Sequence, residues 1–587
     1  MGRIRSTILL CFLCLAFAGR ALSARGAETL RPEQLHAGMK GYGLTVFKGT
    51  KPDRFVVEVL GVLKNVFPKQ DMILIRMSGA DLEKTKVIAG MSGSPIYIDG
   101  KLIGALAYGW GFENEPLAGV TPIHNMIAQL NPPAAPSDSQ SSSSASGRAD
   151  LRWLQPPAPS PLLAASDQND AATPRPLMTP LSLGGFSPRV IDLMSEKLQR
   201  FGLLPTAVGG GGFSEMRQPT TQIEPGSGLG VQLIRGDFNA VAVGTATYVE
   251  KNKILAFGHP FFQGGRVEAP AVLAEVHTIM SSLARSFKMA TAVGEIGSMI
   301  GDWQSCIVAD TRVKAKMIPA SIEVTNRDTG HHERYLLEMI DNEAFSPMLV
   351  EIAITEAIFA ASSSSQDTTV RVNLMADLPN RTLRVSDTFF NPSGGLVDPD
   401  ALAPLVSVFN TPFGHTSVKY ISVNVDAALT RQTAEIKRAY FSEAEVERGE
   451  TAALTVVLKP FGQPEVTQAI PIKVPADGST MRQLAVTVLA GSNAPPDVAP
   501  PDNLNDYLDV IEKQHCSTEL VALVPMPGQG LQYRGKLLKR LPASVASVLD
   551  DASTSGVAAA ADIKQIVAPT DWVLSGRATA RVSIRQE

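Results

Sequence analysis

The strongest constraint on this chain is the shortness of its apolar runs. Phe55-Val-Val-Glu-Val-Leu60 and Met72-Ile-Leu-Ile75 hold only a few branched residues each, and Pro95-Ile-Tyr-Ile98 turns at Asp99-Gly100 into Leu102-Ile-Gly-Ala-Leu106. Asp-Gly between two apolar runs supplies the positive φ values that a tight hairpin turn requires. A second unit alternates Val241, Val243, Thr245, Thr247 and Val249 with its neighbours and returns through Lys251-Asn252 into Ile254-Leu-Ala-Phe257. Glycine (48) and proline (41) are plentiful and aromatics are only 6% of the 587 residues, which suits short strands and many turns better than a helical bundle. The fold class expected is mainly β, with roughly one domain per 150 residues.

Arg3 and Arg5 precede an apolar run over residues 8–18, and the small residues Ala21, Ser23 and Ala24 follow. This is the layout of a secretory signal peptide over residues 1–24, too short to span a bilayer. The expectation is an exported chain, periplasmic, in the cell envelope or extracellular, with no membrane span left after cleavage. Cys11 and Cys14 lie in that segment, so the mature chain keeps Cys306 and Cys516, which cannot build a disulfide framework. No Cys/His cluster has metal-ligand spacing, so no metal and no cofactor is expected. Charged residues are 19% of the chain and the net charge is −4, with no basic block to neutralise a run of phosphates, so nucleic acid is not an expected partner.

Composition divides the rest. Residues 30–130 and 177–360 read as two β segments, the second flanked by helices. Ser187-Pro188 opens one helix, with Ile191, Met194, Leu198 and Phe201 on one face and Gly202 at its end. Residues 131–176, with Pro-Pro pairs and a serine run at 141–144, read as a disordered linker. A helix is expected over 345–360. Strand-like runs at 370–374, 421–425, 453–458 and 484–488 suggest a β-sandwich over 365–495. Residues 500–587 read as an α/β segment, with Leu504, Leu508 and Ile511 on one helix face.

The most informative string is Gly90-Met91-Ser92-Gly93-Ser94-Pro95. A serine nucleophile needs its hydroxyl on a tight turn, with backbone N–H groups facing the place where an acyl oxygen becomes negative, and flanking glycines permit that geometry. An ordinary Gly/Ser/Pro turn has the same composition. The longer stretch Gly90-Met-Ser-Gly-Ser-Pro-Ile-Tyr-Ile-Asp-Gly-Lys-Leu-Ile-Gly104 resembles the serine-bearing signature of the SpoIVB peptidase family, S55. The resemblance extends over residues 35–121 and 228–310. It implies a chymotrypsin-like double β-barrel and a nucleophile at Ser92, with the N–H groups of Gly90 and Ser92 as oxyanion donors and Ser94 in a structural role.

A nucleophilic serine needs a base. Among the eight histidines, His259 stands out: Phe257-Gly-His-Pro-Phe-Phe262 follows a hairpin directly, and the family's histidine also sits in a Gly-His context after a strand. His124, at the start of a short helix, reads as a surface residue. Asp302 is the expected third member, with Asp237 and Asp81 as rivals, and each is also a candidate for a plain turn aspartate. The order departs from the family, in which the histidine precedes the serine, so the barrel is expected to be split and permuted. No PDZ-like segment is found. The glycines at 209–212 and Gly226-Ser-Gly-Leu-Gly230 lack the residues of a phosphate loop, and Arg285-Ser-Phe-Lys288 reads as a solvated basic face. Two functions follow: a serine endopeptidase acting on a protein or peptide substrate, or a catalytically inactive cell-envelope binding or assembly protein that uses the same fold as a scaffold.

Overall fold

The computed structural model describes residues 28–111, 114–130, 173–209, 222–362, 366–392, 399–414, 416–476, 481–498, 501–533, 536–538 and 557–585. The expected signal segment and nearly all of the expected linker lie outside the described residues. The chain is mostly β, with 53% strand against 15% helix.

Lys40–Thr45 (β1), Asp53–Phe67 (β2), Gln70–Ser78 (β3), Pro95–Ile98 (β4), Lys101–Gly109 (β5) and Leu117–Pro122 (β6) pair in the order β4-β1-β2-β3-β6-β5, and β5 pairs back with β4 to close a six-strand barrel. Closure removes every free edge among these six strands. Asp99 and Gly100 have φ of 49° and 75°, as the hairpin between β4 and β5 requires. Val57, Val59, Ile73, Ile75, Ile103, Leu106 and Val120 fill the interior. Arg175–Pro176 (β7), at the end of the expected linker, pairs with β5.

Thr179–Gly184 (β8) and Leu203–Ala207 (β9) flank the helix Pro188–Arg200. Ser187 Oγ accepts from the N–H of Val190, Ile191, Met194 and Leu198 are buried, and Gly202 follows at φ 72°, so this helix begins and ends where its caps predict. A second ring follows. Gly228–Gly236 (β10), Asn239–Glu250 (β11), Lys253–Ala256 (β12), Ala269–Met280 (β13), Phe287–Trp303 (β14) and Cys306–Asp310 (β15) run in the order β10-β13-β14-β15-β12-β11, and β10 also pairs with β11. The architecture is therefore mainly β and chymotrypsin-like, with the serine-bearing barrel first in the chain.

Met317–Asn326 (β16), His332–Ile340 (β17), Thr368–Asp377 (β18), Thr382–Asn391 (β19) and Tyr420–Ala428 (β20) extend the second sheet beyond β10, and the helix Ser346–Ser362 packs on it. The runs at 370–374 and 421–425, grouped by their spacing with a sandwich at 365–495, thus belong to this sheet. The reason is a long-range parallel pairing of β20 with β16, which turn spacing does not announce. The sandwich is built from residues 433–584, a four-strand and a six-strand sheet facing each other over Ile436, Leu454, Val456, Ile472, Leu484, Val486 and Val582. The helix Leu504–Glu512 puts Leu508 and Ile511 into the core of the extended sheet.

The two barrels meet at a tight seam. Gly93 donates its N–H to Leu106 O within the first barrel, and its own carbonyl accepts from Thr247 Oγ1 of the second at 2.7 Å. A Cβ at Gly93 would lie 2.0 Å from Thr245 O and 2.5 Å from Phe257 N, and φ there is +95°. Both the backbone conformation and the space exclude a side chain. Gly93→Ala is expected to destabilise the protein by roughly 2–4 kcal/mol, read from the urea midpoint at unchanged m-value.

Candidate active site

The serine loop is fixed from its carbonyls. Ala89 O accepts from the Lys288 N–H at 3.0 Å, Gly90 O from Thr245 Oγ1 at 2.9 Å, and Ser92 O from the Thr245 N–H at 2.8 Å. Met91 O accepts from both the N–H and the Oγ of Ser94, at 2.9 and 2.7 Å, which gives Ser94 a structural role. Gly90 and Gly93 have φ of 94° and 95°, so the motif needs both glycines. In a trans peptide the C=O and N–H point to opposite sides. Holding Ala89 O and Met91 O therefore turns the N–H groups of Gly90 and Ser92 away from those anchors. Among the described residues neither N–H donates to a protein acceptor, whereas those of Met91, Gly93 and Ser94 are bonded. Ser92 is fully buried and its Oγ has no hydrogen-bond partner.

His259 enters from the second barrel. β12 ends at Ala256, and Phe257 and Gly258, at φ of 69° and 71°, reverse the chain so that the imidazole is buried, with only 2% of the residue exposed. Among the described residues it is the one buried histidine; His36, His124, His277, His331 and His332 are exposed, and His415 lies outside the described residues. Its Nδ1 is 2.8 Å from Pro260 O. A carbonyl only accepts, so Nδ1 carries the proton and Nε2 the lone pair, the tautomer a general base requires. Nε2 is buried and has no partner. Burial pushes the imidazole pKa down to about 4. The two loops meet through Gly93, next to Ser92, and Phe257, two residues before His259, and no hydrogen bond joins the two side chains.

Asp302 takes a different place from the one expected. Its carboxylate accepts from the N–H groups of Phe261 at 2.7 Å, Phe262, and Gly264 at 3.3 Å, and its main chain exchanges two hydrogen bonds with Gly265. It thus holds the turn that follows His259, while the acceptor that orients the imidazole is Pro260 O. The arrangement is local: amides of the turn after His259 donate to the carboxylate. Burial raises the Asp302 pKa against those amides. Asp237 accepts from the Leu336 N–H, and Asp81 lines a groove of 530 Å³ between Phe47, Arg54 and Ile88 of the first barrel and Thr278 and Ile279 of the second.

Lys288 was expected on a solvated face and is fully buried. Its Nζ donates to Thr45 Oγ1 at 2.7 Å and Thr245 Oγ1 at 3.3 Å, and burial pushes its pKa down to about 7. Lys288 shares the buried face of β14 with Ala290, while the larger apolar residues Phe287 and Met289 take the half-exposed face, so residue alternation carried no signal for this burial. Cys306 and Cys516 are free thiols, and among the described residues no cluster of three or more His, Cys, Asp or Glu has the placement to hold a metal.

The fold is that of a mainly β, chymotrypsin-like module. Residues 28–127 match the sequence model of the SpoIVB peptidase S55 family, a span that contains the whole first barrel and Ser92. No curated protein and no solved structure matches the chain.

The buried imidazole makes stability depend on pH in a definite direction. Its folded pKa of about 4 lies below the ordinary 6.5, so the unfolded chain binds the proton first as pH falls. The contribution is complete above pH 6.5 and is lost as pH falls through 4, on the order of 3 kcal/mol in all. Urea unfolding at pH 7 and pH 4 is expected to show a larger loss for the wild type than for His259→Asn, by about that amount.

Proposed function

We propose that the chain is an exported serine endopeptidase of the SpoIVB type, hydrolysing peptide bonds in a protein or peptide substrate without a cofactor. The observation that carries this reading is the pair of buried, unpartnered atoms, Ser92 Oγ and His259 Nε2, on loops that abut at the barrel seam. Structured proteins seldom leave such groups unsatisfied without a use for them. Ser92 Oγ attacks the scissile carbonyl and His259 Nε2 takes its proton, then returns it to the leaving amine. Water repeats the sequence to release the acyl group. The N–H groups of Gly90 and Ser92 hold the oxyanion. Pro260 O keeps the proton on Nδ1, and Asp302 acts at one remove by fixing the turn after His259. The low pKa keeps the imidazole neutral, and so able to accept a proton, at any pH from 5 upward. Because both groups are enclosed, turnover includes a separation of the two loops that admits substrate. The run over 8–18 and its flanking residues support export.

Burial of the same two groups favours a second reading, an inactive module that serves as a scaffold in the cell envelope. A fluorophosphonate probe separates the two. On the peptidase reading the purified protein is labelled at Ser92, labelling disappears in Ser92→Ala, and its rate falls by about 10³-fold or more in His259→Ala. Absence of labelling between pH 5 and 8, or labelling that persists in Ser92→Ala, sinks the peptidase reading.

A further inference from the structure

Lys288 has no part in the proton transfers above, yet it is the one fully buried lysine among the described residues. No ion pair joins it there, and an ammonium without a counter-charge is costly to enclose. The methylene stem runs beside Gly90, where a Cβ would fall 3.2–3.3 Å from Lys288 Cβ, Cγ and Cδ. The main-chain N–H donates to Ala89 O at 3.0 Å, and Ala89 N–H donates to Ser286 O at 2.8 Å, so the strand bearing Lys288 is stitched to the segment entering the motif. The head group donates to Thr245 Oγ1. That hydroxyl, accepting from nitrogen, directs its own hydrogen to Gly90 O at 2.9 Å, while the Thr245 N–H holds Ser92 O. A donor at the head of such a chain polarises every bond after it.

We infer that Lys288 is a positioning residue of the serine site: its main chain and, through the Thr245 hydroxyl, its Nζ donor fix the two peptide planes on either side of Gly90, and so the direction of the Gly90 N–H. The inference rests on the reading of Ser92 as nucleophile for its catalytic consequence, but the mechanical claim stands on its own. The loop is held by a residue of the other barrel.

Lys288→Met keeps an unbranched stem beside Gly90 and removes the head group. In fluorophosphonate inactivation its maximal rate is expected to fall 10- to 100-fold with the half-saturating probe concentration changed less than about twofold, the split produced by losing transition-state donors rather than binding. Hydrogen–deuterium exchange in residues 88–95 is expected to accelerate while the remaining strands of the first barrel keep their protection. Thr245→Val, of the same shape without the hydroxyl, is expected to reproduce both effects, and the double variant to add little to either single one. Wild-type inactivation kinetics together with wild-type exchange at 88–95 in Lys288→Met overturn the inference. A wild-type protein that takes up no probe sinks the serine reading instead, and exchange at 88–95 still decides the role of Lys288. Should Lys288→Met fail to fold, Thr245→Val carries both measurements.

Discussion

The contact of Gly93 with the backbone of Thr245 and Phe257 is the constraint on which the rest depends. The two barrels join through loops of the first, whose main chain bonds that of β13 and the start of β14, Gly49 with Val276 and Ala89 with Ser286 and Lys288, and through side chains. At the seam threonine hydroxyls of each barrel meet carbonyls of the other, Thr121 to Gly258 in one direction and Thr245 and Thr247 in the other. Thr245 and Thr247, two residues apart on β11, face the same side and bond Gly90, Ser92 and Gly93. The geometry of the serine loop is therefore a property of both barrels at once. Gly258, reciprocally, sits against Ala105 and Ala107 of β5, where a larger residue on either side would part the loops.

The seam is also buried, and this orders its electrostatics. Three ionisable groups lie within or beside it, and the hydrogen bonds they make go to backbone or hydroxyl groups rather than to an opposite charge: His259 Nδ1 to a carbonyl, Lys288 to two threonines and Asp302 to a row of amides. Without counter-charges, burial governs the direction of all three shifts, lowering the two bases and raising the acid. The common result is a bias toward neutral side chains in a buried region.

Local chemistry was legible in the sequence and distant pairing was not. Asp99-Gly100 and Ser187-Pro188 marked a hairpin and a helix start because the backbone requirement at those positions falls on the residues themselves. The double glycine of the serine motif is readable for the same reason. The parallel pairing of β16 with β20 depends on what lies between them, which no turn signal encodes, and it moved two strands from the expected sandwich into the central sheet. Asp302 was found as a residue near the histidine but assigned the wrong partner, since an aspartate that caps a turn and one that orients an imidazole carry the same neighbours in sequence. Lys288 was misjudged by treating charge as exposure. Alternation gave no help, since the larger apolar neighbours Phe287 and Met289 lie on the opposite, half-exposed face.

The permuted order has a temporal meaning. A chain made and threaded from its N-terminus delivers the hydroxyl-bearing ring first, and Thr245, His259 and Lys288 arrive only after the intervening segment has emerged. Until then the serine loop lacks the donors that set its carbonyls. On the proposed reading a nascent or truncated molecule is hydrolytically silent, and competence comes only when synthesis is well advanced.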